Sequence, residues 1–214
     1  MKGQELWKSM FSTDNRFMVV CEKIFDLFVL NLLFLISALP VFTLGIAKLS
    51  LLQTVDVIAK ERRVPVVRLY FQHFKSQARL GLSLGLLEVS VYLICGSNLL
   101  LFARQTALPF QLIKVLCVGL LLFFTLIFLS AYPLFARRPL PLGMGLQWSL
   151  VLVSLNLAWF LFMMAAIWLL FNLAAISSIL LVLTLLFLIL IGFSLLAWGQ
   201  GAIMDHILKK YPTL

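Results

Sequence analysis

An all-α polytopic membrane protein is the fold class that three features of this sequence predict. Apolar runs of roughly twenty residues recur along the chain, and from Trp148 to Trp198 no residue is charged at all. The charges that exist gather in the short segments between the runs. A run of about twenty residues at 1.5 Å per residue matches a hydrocarbon core of about 30 Å.

Composition excludes the soluble alternatives. The 214 residues are 63% hydrophobic and 12% charged, with a mean hydropathy of +1.10, against roughly 45–50% and about 25% in a soluble domain. A net charge of +9 would suggest nucleic acid in a soluble chain. Here the basic residues flank the spans, where they set orientation, so no nucleic-acid partner is expected. Cys21, Cys95 and Cys117 are odd in number and all lie in apolar stretches, which reads as small buried hydrophobes rather than a disulfide or metal set.

One transmembrane domain is expected over 1–214, a bundle of six transmembrane helices at about 17–39, 41–59, 80–103, 110–135, 148–170 and 174–198. Residues 1–16 carry Leu6, Trp7, Met10 and Phe11 on one helical face, as in a short helix at the headgroups, with Asp14 placed to cap the next helix. This segment has no h-region, so no cleavable signal is expected and the first span would direct insertion. Span one places Glu22, Lys23 and Asp26 in its inner third and ends at Pro40. Span two is the least apolar, with Lys48, Gln53 and Asp56, and sets Thr43, Ala47, Ser50 and Thr54 on one face. Small residues so spaced let another helix approach closely.

Residues 60–79 leave the bilayer, with six Lys and Arg against Glu61. After Pro65, Val67, Tyr70, Phe71, Phe74 and Ala78 fall on one helical face, and Arg68, Gln72, Lys75 and Arg79 fall beside it. That periodicity predicts an amphipathic basic helix over 65–79. It would either rest at anionic headgroups or dock a partner, with Phe71 and Phe74 filling a groove. The uncharged stretch from Trp148 is too long for one span, and a break near Asn172 is expected. Thirteen of the seventeen Lys and Arg fall on one side of this topology, so both termini should be cytoplasmic and the Pro40 tip should face outward.

Ionisable groups inside a bilayer cost about 2.5–3.5 kcal/mol each on insertion scales, so each needs a reason. Lys48 lies about 16 Å from the inner end of its span and Glu88 about 12 Å from the inner end of the next. A lysine stem can cross the difference, so the two are expected to pair, as a structural ion pair or as part of a proton or ion pathway. Asp26 and Asp56 read as interface charges, with cation binding or acid–base work as the sharper option. His73 and His206 read as solvated or interfacial. No Ser/His/Asp set, metal spacing or phosphate-binding fingerprint occurs. No catalytic residue, metal or cofactor is therefore expected, and a membrane enzyme ranks last. SALPVF at 37–42 and SAYPLF at 130–135 share four of six residues, which an inverted repeat of three plus three spans would explain.

Asn31, Leu39, Pro40, Thr43, Gly45, Phe71, Phe74 and Lys75, together with FSTDNRF at the start and Tyr132-Pro133-Leu134 before Ala136-Arg137, resemble the YesL-like family of small bacterial membrane proteins. The resemblance covers mainly the first 80 residues. It implies a place in the bacterial cytoplasmic membrane beside carbohydrate ABC importers, as a non-enzymatic accessory subunit touching the permease subunits or the ATPase. The residues themselves leave a second option open, a small secondary transporter or channel using Lys48, Glu88 and the two aspartates.

Overall fold

The computed structural model describes residues 16–61, 63–105 and 107–211, so the expected headgroup helix and its Asp14 cap lie outside the described residues. These residues are predominantly helical, with no strand among them. In chain order the elements are α1 (Arg16–Ala38), a 3₁₀ turn (Val41–Thr43), α2 (Leu44–Lys60), α3 (Val66–Ser76), α4 (Ala78–Leu101), α5 (Leu108–Arg137), α6 (Leu142–Leu155), α7 (Leu157–Ile176), α8 (Ser178–Phe187), a π-helical turn (Leu188–Gly192) and α9 (Phe193–Lys210). Five helical segments are long and apolar enough to cross a membrane: Val41–Lys60, Ala78–Leu101, Leu108–Arg137, Leu157–Ile176 and Ser178–Lys210. The chain is membrane-embedded on that basis. Helix α1 is not among the five, because Glu22, Lys23 and Asp26 occupy its first half.

Several boundaries differ from expectation for local reasons. Asn172 does not break the chain: its side-chain amide donates to Trp168 O at 2.8 Å within α7, so it is satisfied without leaving the helix. The break falls at Ser177, which is extended and whose hydroxyl accepts from Ile179 N. A second break at Asn156 divides the expected fifth span into α6 and α7. The last helix runs past 198 to Lys210.

The two similar strings take different structures. SALPVF forms the tip between α1 and α2, whereas SAYPLF lies within α5, with Pro133 inside the helix.

Helix α4 runs antiparallel to α5, with Glu88 meeting Tyr132 and Tyr92 meeting Thr125. At the hairpin's closed end Phe102 stacks on Phe110, and Lys114 Nζ donates to Ala103 O and Gln105 O, covering carbonyls just past α4. Helix α2 runs parallel to α5, since Lys48 lies over Tyr132, Gln53 bonds Ala136 O and Asp56 reaches Arg137.

The depth of the α1–α2 tip departs from expectation. Gly45 packs against Gly81 and Gly85, yet α4 continues to Leu101, sixteen residues or about 24 Å beyond. The Pro40 tip therefore stands alongside the middle of the α4–α5 hairpin rather than level with that hairpin's closed end. Tight glycine packing sets this level, a tertiary feature invisible to hydropathy.

The core lies in the half of the bundle that contains the tip. Leu30, Leu49, Tyr70, Leu84, Ala131 and Phe135 are all deeply buried there. The small-residue face of α2 is spent inside this core, with Ala47, Ser50 and Thr54 at 0% exposure.

Candidate functional site

The α1–α2 tip is held by the motif residues themselves. Pro40 ends the first helix, and Thr43 then donates its hydroxyl to Ser37 O at 2.6 Å and Pro40 O at 2.7 Å. Pro40 O also accepts from Thr43 N at 3.0 Å, so the hydroxyl's contribution is chiefly to Ser37 O, a helix-end carbonyl in an apolar setting where an internal partner is needed. Gly45 admits the backbone of α4, while Leu39 stands exposed at the tip.

Asn31, fully buried, reaches across to the π turn of the last helix. Its amide donates to Leu188 O at 2.9 Å and Ile189 O at 2.7 Å, and its oxygen accepts from Ser194 N at 3.0 Å. A π turn shifts the hydrogen-bond ladder by one residue and leaves groups to be satisfied from outside. Asn31 satisfies them and fixes the bulge.

Below that frame, α2, α4 and α5 bring Lys48 and Glu88 together. Lys48 Nζ donates to Glu88 Oε1 at 2.7 Å and Oε2 at 2.8 Å. Tyr132 donates its hydroxyl to Glu88 Oε2 at 2.7 Å, and the ammonium lies 4.9 Å from the Tyr132 ring. Glu88 thus has both oxygens engaged by donors, as a buried carboxylate requires.

The cluster faces a cavity of about 450 Å³ lined by Phe34, Leu44, Tyr92, Thr125, Phe193 and Gln200 among others. A mostly apolar cavity with a few convergent polar groups is the ordinary form of a small-ligand site. Lys48, with 31% of its side chain exposed against 8% for Glu88, is the member a ligand would reach first.

Asp26 and Asp56 do not share a site. Asp56 accepts from Lys60 at 2.6 Å and from Arg137 at 3.3 Å, whereas Asp26 lines a groove beside Arg68. Arg137 is the centre of a latch. It bonds Asp205 and Asp56 and donates to Gly201 O at 2.9 Å, tying α2, α5 and α9 together. Its position beside Tyr132-Pro133-Leu134 was the only signal available, since Asp205 lies 68 residues away.

The basic helix is shorter than expected and its apolar face divides. Helix α3 ends at Ser76, so Arg79 belongs to the first turn of α4. Val66 and Tyr70 are buried and Phe74 packs on the core, while Val67 and Phe71 stay about half exposed. Phe74 is thus partly taken up by the chain's own core. Tyr70 hydrogen-bonds Ser37, and burial pushes its phenol up to about 12.

His73 is partly buried: its Nε2 has no partner among the described residues, and burial lowers its pKa. His206 is exposed and edge-on to Trp159. Cys95 and Cys117 are buried free thiols, whereas Cys21 is exposed.

Residues 27–99 match a family described as Protein of unknown function, DUF624. The matched stretch runs from α1 to the end of α4, so it contains Asn31, the Pro40 tip, Lys48, Phe71 and Glu88 but neither Tyr132 nor Arg137. No curated protein matches the chain, and no solved structure does.

Proposed function

We propose that this chain is a non-enzymatic accessory membrane subunit of a carbohydrate ABC importer in the bacterial cytoplasmic membrane. The observation that carries the reading is the outward stripe of α3. Val67 and Phe71 are 50% and 46% exposed beside exposed Arg68 and Lys75, over a groove of about 530 Å³ shared with Phe25, Asp26 and Val29. Aromatic and Arg side chains grouped this way are the usual anchors of protein interfaces. The YesL-like resemblance supplies the partner class, permease subunits with the ATPase beneath them. The small-residue face of α2 is buried within the chain and lies outside this surface.

In this reading the basic end of the bundle and both termini are cytoplasmic, by the bias of Lys and Arg. Helices α4, α5, α7 and α8–α9 cross the bilayer, and α1–α2 enters and leaves from the basic end. Gentle purification of the tagged protein should bring down permease subunits. Their absence, with normal sugar uptake in a deletion strain, would defeat the proposal.

A second reading rests on a different observation, the Lys48–Glu88–Tyr132 cluster on its cavity. Such a cluster suits a small secondary transporter or channel. Transport by the purified chain alone in liposomes would favour it over the accessory role.

A further inference from the structure

Towards the closed end of their hairpin, α4 and α5 expose nearly every side chain they carry. Among the described residues, Cys95 is the only buried residue of α4 past Glu88, and Cys117 is the only buried residue of α5 before Ile127. Their exposures are 6% and 7%, although Leu93, Ile94, Leu116 and Val118 around them are all exposed.

The register of the hairpin sets the two thiols opposite each other. Phe102 stacks on Phe110 at the closed end, with ring centroids 5.0 Å apart. Cys95 lies seven residues before Phe102 and Cys117 seven after Phe110, two turns along each helix and back on the same face. On the other side Tyr92 meets Thr125 at 3.1 Å. These lie three residues from Cys95 and eight from Cys117, again on that face. Each cysteine is thus covered by the facing helix, and the Cys95 side chain hydrogen-bonds Cys117.

Two thiols in contact on neighbouring helices can be joined by one S–S bond, which spans facing β-carbons. Their position decides which oxidant can reach them. They sit about 10 Å inside the closed end of the hairpin, in helices long and apolar enough to cross a membrane, among hydrocarbon side chains. A charged oxidant is held in water by the cost of entering such a setting, whereas a quinone dissolves in it. We propose that Cys95 and Cys117 form a dithiol–disulfide pair oxidised by a membrane-dissolved quinone. Both S–H bonds break, one S–S bond forms, and the two electrons and two protons released reduce the quinone to its hydroquinone. The bond ties α4 to α5 at a level where neither helix has another buried residue among the described ones. Cys21, exposed on α1, takes no part. The proposal stands independently of the importer reading.

The test follows each cysteine in the full-length protein, reduced with dithiothreitol and reconstituted in liposomes. One sample receives a fully ring-substituted benzoquinone with a decyl chain, and another receives tetrathionate, a charged oxidant that stays in water. Each is then denatured, labelled with a maleimide and digested for mass spectrometry. The quinone should remove the label from Cys95 and Cys117 and yield a peptide pair joined between them, two hydrogens lighter than the reduced peptides. Tetrathionate should join the pair at least tenfold more slowly. In Cys95→Ser and Cys117→Ser the remaining partner should keep its label after quinone treatment. Full labelling of both cysteines after quinone, joining by tetrathionate at the same rate, or loss of label from the remaining partner in either variant overturns the proposal.

Discussion

A β-carbon on Gly45 would stand 2.2 Å from the carbonyl oxygen of Gly81, and one on Gly85 would stand 2.9 Å from the backbone nitrogen of Gly45. Helices α2 and α4 therefore meet backbone to backbone, and the neighbours that would have to move are main-chain atoms. Gly45→Ala should destabilise the protein by about 1–3 kcal/mol through forced separation of the two helices, and Gly45→Leu by more. Thermal unfolding of the purified variants checks this. Gly119→Ala serves as the control, since a side chain there meets nothing within 4 Å.

The level of that contact fixes the depth of the hairpin tip. In a cysteine-free background, Val41→Cys and Phe42→Cys should resist a membrane-impermeant maleimide added from outside intact cells. Arg104→Cys, in the turn that closes the α4–α5 hairpin, should label readily. Labelling of Val41→Cys at the rate of Arg104→Cys would show that the tip reaches the outer surface.

The Lys48–Glu88 pair should show strong non-additivity. Removing one partner of a buried pair leaves an uncompensated charge and costs about 3–5 kcal/mol, whereas replacing both with apolar groups is often neutral. Glu88→Leu and Lys48→Met are each expected to destabilise markedly, and the double variant to recover most of the loss. A double-variant cycle by thermal unfolding reads the coupling directly. If Glu88→Gln leaves folding and function unchanged, Glu88 carries no proton.

His73 makes stability depend on mild acid. Burial lowers its pKa below the ordinary 6.5, so the folded state favours the neutral ring and the unfolded chain takes up the proton first. Its contribution is complete above pH 6.5 and is lost as pH falls below that value toward the lowered folded pKa. Unfolding temperature should decline as pH falls below 6.5, ahead of most carboxylates. In His73→Phe this early decline should flatten, which a pH series of thermal scans measures.

Much of the site was legible in one dimension because depth along a helix is read by counting. Lys48 and Glu88 sit at similar counts from the ends of their spans, and the structure brings them within 2.7 Å. Tyr132 as the third member was not legible, since a tyrosine in an apolar helix has no sequence mark of its partner. The π turn likewise has no local signature. It depends on Asn31, which lies 157 residues from Leu188.

The α3 helix shows where periodicity stops. A stripe of Val67, Tyr70, Phe71 and Phe74 marks one face, but only packing decides that Tyr70 and Phe74 turn inward and Phe71 does not.

By itself the sequence determined the all-helical class, the apolar lengths that suit a bilayer, and the clustering of basic residues that marks one end. Those follow from solvent: lipid admits only backbone that bonds to itself, and charge stays near water. Only the tertiary structure decided that the Pro40 tip stops beside the middle of α4, that the small-residue face of α2 is consumed internally, and that Arg137 joins Asp56 and Asp205. These rest on close approach between residues far apart in the chain, and hydrophobicity, being non-directional, does not say which faces will meet.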